Sequence, residues 1–199
     1  VSSDLVANNS MTWIDSIEFC FERSNVKNIK LPGLVKKINI DSKEQKIKIL
    51  KHLRKYIKSN PKLVNTKFLV NKIFRNSNLK KIQLKNNNIL DKKLNWKDIK
   101  KINSDKLFDI GGHSHNHVSF GLLSKKETEY QVKKSINFIK KNTDILVDLY
   151  SYPEGQSIDF SKNTIKILKK YNIICCPTAI YGLNCLKEDL FYLKRINVE

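Results

Sequence analysis

Three of the four histidines in this 199-residue chain fall within five positions, in the run His113-Ser114-His115-Asn116-His117. A neutral imidazole is the commonest protein ligand for a metal ion, and Zn²⁺ held by nitrogen needs donors converging to about 2.0–2.1 Å from one point. Two histidines four apart can meet that need from one helical turn or from a tight loop beyond a strand. Gly111-Gly112 immediately upstream points to the loop, because glycine lets the backbone turn through positive φ and Leu107 to Ile110 has the length and apolarity of a short strand. The helical His-Glu-x-x-His pattern of zinc proteases is excluded, since Ser114 stands where its glutamate base would be. A solvated or pH-sensing histidine loop is the bland alternative, and spacing alone leaves both open.

The elements that must carry this loop can be read on either side of it. Val1 to Val6 has the look of a strand end, and Asn9 or Ser10 offers a cap for a helix over residues 12–23, where Trp13, Ile17, Cys20 and Phe21 recur at helical spacing. Leu31-Pro32-Gly33 is a turn signal. Ser42-Lys43-Glu44-Gln45 is a capping box for a helix to about Lys58 that buries Ile47, Leu50, Leu53 and Ile57, with His52 beside the stripe as a surface or packing residue. Pro61 opens a further helical stretch through Leu63, Phe68, Leu69 and Ile73. A weakly patterned piece rich in asparagine and lysine, including Asn86-Asn87-Asn88, then reads as loop. Asn95 caps a short helix with Trp96, Ile99 and Ile102 that leads into the histidine loop.

Beyond the loop, Ser124-Lys125-Lys126-Glu127 is a second capping box. It starts an amphipathic helix with Tyr130, Ile136 and Ile139 on one side and Lys133, Lys134, Lys140 and Lys141 on the other. Strands are expected at Ile145 to Tyr152, Ile173 to Cys176 and Phe191 to Ile196, with a helix capped by Ser161 between the first two. Helix and strand alternate here, the pattern of an α/β fold with a parallel sheet.

Size and composition narrow the class. With 40% hydrophobic and 9% aromatic residues the chain is globular, and it lacks the run of about 18 apolar residues that a membrane-spanning helix requires. Cys20, Cys175, Cys176 and Cys185 form no Cys-x-x-Cys pair and no disulfide framework, so a reducing, cytoplasmic compartment is expected, and no signal peptide is visible. The formal net charge is +19. It is mostly lysine accompanied by asparagine and isoleucine, as a strongly AT-biased coding sequence gives, and its lysine-rich segments carry no obvious aromatic interleaving of the sort that stacks bases. Solvated helix faces are therefore favoured over a nucleic-acid site, although nucleic-acid binding stands as a rival class. The only methionine is Met11, and the chain opens in what reads as mid-element, so a natural start further upstream is expected.

The histidine run, the Phe108-Asp-Ile-Gly-Gly before it and the Leu-Ser and acidic helix start after it resemble the polysaccharide deacetylase family, including its nodulation-type chitooligosaccharide deacetylases. Its second motif, His-Ser/Thr-x-x-His, is matched in full. Tyr150-Ser-Tyr-Pro-Glu-Gly155 resembles the family's aromatic-x-x-Pro-x-Gly segment, and Leu193 to Val198 resembles its closing motif. The resemblance implies a deformed (β/α) barrel with parallel strands. The resemblance is good over roughly residues 95–198 and looser toward the start, and the domain it implies is a single one over 1–199, incomplete at its amino-terminal first strand and carrying a helical insertion over 25–95. It also implies a divalent metal, usually zinc, held by His113 and His117, with Ser114 orienting the loop. Glu154 is implied as a backbone oxyanion donor, Tyr152 and Pro153 as substrate-binding residues, and an acetylated glycan, of the bacterial cell-surface or exported polysaccharide kind, as substrate. Three departures stand out. The family's Asp-Asp pair, source of its base and third metal ligand, occurs nowhere in the chain, and Asp4 lies too late in the order to replace it. Ser151 occupies a position where many members have an arginine. No histidine follows His117 to act as a late general acid. The expectation is an upstream segment carrying the aspartates, with this piece inactive by itself. A non-catalytic glycan- or partner-binding relative of the same fold is the alternative, and the sequence does not fix the oligomeric state.

Overall fold

The computed structural model describes residues 1–23, 28–29, 38–39, 41–60, 66–76 and 93–196. It divides into two compact units, Val1–Ser10 with Lys93–Glu199, and Met11–Lys92. The first is called here the histidine unit and the second the helical unit.

The helical unit contains α2 (Trp13–Arg23), α3 (Lys43–Ser59) and α4 (Thr66–Asn76). An antiparallel pair joins β1 (Asn28–Ile29) to β2 (Ile38–Asn39). The cap of α2 is Thr12 rather than Asn9 or Ser10: its Oγ1 accepts from the Asp15 amide at 3.2 Å while its own amide donates to Asp15 Oδ2. A threonine directly before the first turn, with an acid three residues on, closes this reciprocal pair more closely than caps set further back. The expected capping box of α3 is present, Ser42 and Gln45 each serving the other's backbone. Ile17, Cys20, Phe21, Leu53, Leu69 and Ile73 form the centre of this unit's core. Ile47 does not join it. That side chain is 43% exposed, and Ile49 is buried in its place. The turn expected at Leu31-Pro32-Gly33, the start at Pro61 with Leu63, and the Asn86-Asn87-Asn88 loop lie outside the described residues.

The histidine unit contains α1 (Ser3–Ala7), α5 (Trp96–Asn103), a 3-10 turn (Phe120–Leu122), α6 (Lys125–Thr143) and α7 (Lys162–Lys170). Asn95, Ser124 and Ser161 all cap through reciprocal side-chain and backbone bonds, as the sequence indicates. Where a strand end is expected at the amino terminus, the chain is helical from Ser3, with Ser2 extended as its N-cap and Asp4 in the first turn. On α6 the buried face runs through Thr128, Val132, Ser135, Ile139 and Thr143. Tyr130 is 54% exposed instead, its hydroxyl accepting from Lys134 Nζ.

Between the helices the backbone pairs through single parallel bridges, Gly112 with Tyr150, Leu149 with Cys175, and Tyr181 with Arg195. Gly112 N donates to Leu149 O and Ser151 N to Gly112 O, while Tyr150 N donates to Cys175 O and Ile174 N to Asp148 O. The order bridge, α6, bridge, α7, bridge is the predicted α/β alternation with parallel pairing. The extended strands themselves are absent from residues 107–110, 145–152, 173–176 and 191–196 as described. Leu107 is 86% exposed, and Asp105 folds that segment into a turn by accepting from the Leu107 amide and, through its carbonyl, from Phe108. Phe120, Val132, Ile139, Tyr150, Leu168 and Cys176 form the core of this unit. All four cysteines are thiols. Among the described residues no helix is long and apolar enough to cross a membrane.

Candidate metal centre

The histidine loop begins at the Gly112 bridge, and neither glycine before it uses positive φ. Glycine is required for proximity: a Cβ on Gly112 would lie 2.2 Å from Tyr150 Cε2, and one on Gly111 would lie 2.9 Å from Leu149 O. The left-handed conformations fall on Ser114 (φ 53°) and His117 (φ 55°). Non-glycine residues hold such angles only where surrounding bonds fix them.

Such bonds hold four of the loop's amides. The Ser114 N–H donates to the Tyr150 hydroxyl at 2.8 Å, and the amides of His115 and Asn116 both donate to Gln131 Oε1 at 3.0 Å. The Val118 amide donates to Ser114 Oγ at 3.1 Å. Tyr150 and Ser135 complete a buried relay: the tyrosine hydroxyl lies 2.7 Å from Ser135 Oγ, which donates to Val132 O. Because the serine proton is committed to Val132, Tyr150 donates to Ser135 and accepts from Ser114, so every polar atom in the chain of contacts is satisfied. Burial raises the Tyr150 pKa well above its ordinary value, keeping that hydroxyl protonated.

The loop turns His113 and His117 toward each other, with ring centroids 4.9 Å apart and planes at 69°. His113 Nδ1 lies 2.8 Å from the Ser151 carbonyl oxygen. A carbonyl only accepts, so Nδ1 carries the proton and Nε2 presents a lone pair. Burial lowers the His113 pKa to about 4; the Ser151 carbonyl opposes this, and charges at His117, the Val1 amino group and Arg195 add to it. The ring is therefore neutral near pH 7, as a metal ligand must be. Among the described residues no group of three His, Cys, Asp or Glu side chains converges, so the site as described offers two nitrogen donors.

His115 faces the other way. It is buried, with Nδ1 2.8 Å from Ser3 Oγ, Nε2 3.6 Å from Asp4 Oδ1 and its ring 5.0 Å from that of Phe138. Asp4 is thus engaged with His115 rather than with the His113–His117 pair. His115 ties the first turn of α1 to α6.

Beside His113 opens a cavity of about 480 Å³, lined by Gly111, Gly112, Ser151, Cys175 and Arg195 among others. The Arg195 backbone is held on both sides, its N–H donating to Ile180 O and its carbonyl accepting from Gly182 N. Its guanidinium donates to Ser151 Oγ at 3.0 Å. An arginine distant in sequence therefore brings positive charge to the position where Ser151 breaks the expected pattern.

The 152–155 turn follows directly. Glu154 (φ 62°) and Gly155 (φ 71°) are both left-handed, and a Cβ on Gly155 would meet the Ala179 amide at 2.8 Å. Tyr152 and Pro153, expected to contact substrate, are buried instead. Tyr152 stacks on Phe160 at 4.2 Å and donates its hydroxyl to Phe191 O, so it supports the turn from beneath. Asp159 holds the turn to the histidine loop's exit, accepting from Ser119 Oγ at 2.6 Å and from the Gln156 amide at 2.9 Å. Tyr150, Gln131, Ser135, Asp159 and Arg195 were not anticipated as site residues. Tyr150 and Arg195 did fall within the two further segments that resemble the family's motifs, whereas nothing in the local sequence marks Gln131, Ser135 or Asp159.

The family model described as polysaccharide deacetylase matches residues 44–175, about two thirds of the chain. No match was found among curated proteins. Among solved structures, the deacetylase PplD of Streptococcus pyogenes in complex with acetate is 17% identical, with 65% of this chain and 57% of that one covered at a TM-score of 0.49. IcaB from Ammonifex degensii is 18% identical over 53% and 48% at 0.47. The BpsB deacetylase domain of Bordetella bronchiseptica is 16% identical over 53% and 49% at 0.46. The chain spans about half the length of the solved structures it matches.

Proposed function

This chain belongs to the polysaccharide deacetylase family, and we propose that it forms the metal-binding part of a (β/α)-barrel hydrolase that removes acetyl groups from a glycan. In this reading the barrel is a single domain with a helical insertion over 25–95. The observation that carries it is the His113–His117 pair, two imidazoles 4.9 Å apart with the His113 tautomer set by the Ser151 carbonyl. The residues suit zinc: both donors are nitrogen, and the ring whose tautomer is fixed is held neutral by burial. His113 and His117 would hold the ion. When bound, it would polarise the acetyl carbonyl and lower the pKa of a bound water toward about 7.

The rest is done by the chain's own groups. Tyr150, Gln131 and Ser114 Oγ capture the loop amides, so the two rings need no reorganisation when they are engaged. The Glu154 amide, set in a left-handed turn, is the candidate donor to the oxyanion of the tetrahedral intermediate, and Tyr152 and Pro153 shape that turn from below. The chain contains no adjacent aspartate pair to supply a carboxylate base, and Asp109 is a carboxylate that lines the cavity beside His113.

Zinc stoichiometry of the wild type, His113→Ala and His117→Ala tests the ligand assignment. Metal content should fall in both variants, and unchanged content in either one removes that residue. The lack of an aspartate pair favours a second reading, a glycan-binding relative without turnover. Acetate release from an acetylated glycan by a protein extended upstream decides between the two.

A further inference from the structure

The formal charge is divided unequally between the two units. Residues 11–92 carry 20 Lys and Arg against 6 Asp and Glu, a net +14, whereas the remainder carries 18 against 13, a net +5. A coding bias toward lysine would act on both parts alike and would not deplete acidic residues in one of them, since their codons are not disfavoured by it. The asymmetry therefore belongs to the helical unit and needs a physical account.

Much of that charge lies on one exposed face. On α3, Lys43, Lys48, Lys51, Arg54 and Lys55 are exposed, opposite a buried stripe of Ile49, Leu53 and Ile57. From Lys43 to Lys55 the basic face extends over about 18 Å of the helix. The ion pairs formed between described residues lie in the histidine unit; on the basic face itself Glu44 is exposed beside Lys43, and Glu18 of α2 lies close enough to Arg54 to feel its charge, so cations outnumber carboxylates there without excluding them. Ile47, 43% exposed, projects from the middle of these lysines. On α4, Phe68 is 66% exposed on the same side as the exposed Lys72 and Arg75.

Apolar side chains set among basic ones on amphipathic helices meet the requirements of an anionic lipid surface. Lysine stems reach up to phosphate while the apolar residue enters the headgroup and acyl boundary. A soluble phosphodiester polymer would satisfy the lysines but gains nothing from an exposed isoleucine. We propose that the helical unit docks this protein on a membrane surface rich in anionic phospholipid, through the exposed faces of α3 and α4.

Co-sedimentation of the full 199-residue chain with vesicles tests this. Phosphatidylglycerol–phosphatidylcholine vesicles should retain it and pure phosphatidylcholine should not, with binding weakened by added salt. Lys43, Lys48, Lys51 and Lys55 changed together to Gln should lower the partition coefficient by at least about 100-fold. Glutamine preserves helix propensity, and far-UV circular dichroism confirms the fold. Lys126, Lys133, Lys140 and Lys141 changed to Gln on α6 remove the same charge from the other unit and should cost less than about 5-fold. Ile47→Ser alone should weaken binding by about 5-fold. No retention on anionic vesicles, or equal losses in the two lysine sets, overturns the proposal. So does tighter binding to double-stranded DNA than to vesicles with no effect of Ile47→Ser, which would identify a soluble polyanion site.

Discussion

The Tyr150 phenol is one of the groups that hold the histidine loop, and Tyr150→Phe measures its share. The substitution keeps the ring against Gly112 and removes only the oxygen that accepts the Ser114 N–H and donates to Ser135. Ser114 is fully buried, so its amide loses its partner without gaining water. That costs about 1–3 kcal/mol. Ser135 keeps Val132 O as acceptor for its own proton and adds little. The expected destabilisation is about 2 kcal/mol. Ser135→Ala should cost about 1–2 kcal/mol by stranding the Tyr150 proton, and the double variant should fall about 1 kcal/mol short of the sum. Trp96 packs against the core of the histidine unit, and the only other tryptophan is Trp13 in the helical unit. In a Trp13→Phe background, urea unfolding followed by tryptophan emission therefore reports on the unit that matters. The loosened loop should also bind zinc about 10–100-fold less tightly. A Tyr150→Phe variant within about 0.5 kcal/mol of its parent, or strict additivity with Ser135→Ala, would refute the relay.

Gly112→Ala places a methyl 2.2 Å from the Tyr150 ring, which has no room to move; it should destabilise by about 1–3 kcal/mol or more in the same assay, and a neutral result would mean that the ring and backbone are less closely packed than described. The depressed pKa of His113 gives a pH dependence of known sign. The unfolded imidazole titrates near 6.5 and the folded one at about 4, so the unfolded state binds the proton first. In metal-free protein, stability is complete above about pH 6.5 and falls by up to about 3 kcal/mol as pH drops toward 4. His113→Asn should remove that segment of the profile, and an unchanged profile would show that the ring is not held neutral by burial.

The helices were legible because their signals are local. Ser42 with Gln45, Asn95 with Asp98 and Ser124 with Glu127 each complete a cap within four residues, and each helix begins where its cap indicates. The strands were not, because an apolar run such as Leu107 to Ile110 pairs only where partners elsewhere in the chain meet it, and here a single bridge at Gly112 is the result. The glycine pair was recognised for the wrong property, since the demand for it comes from Tyr150, thirty-eight residues beyond Gly112, and not from the local turn. The histidines could be found by spacing, whereas the groups that orient them, Ser151, Tyr150 and Gln131, act across the fold and leave no periodic trace.

The proton on His113 is directed by a main-chain oxygen of Ser151 and not by its side chain. Substitution at 151 cannot delete that acceptor. Position 151 is thus a place where the electrostatic surroundings of the imidazole can be rewritten, as Arg195 reaching the serine hydroxyl already illustrates, while the ring itself stays aimed. Variation there by selection or by engineering can retune the chemistry without rebuilding the ligand.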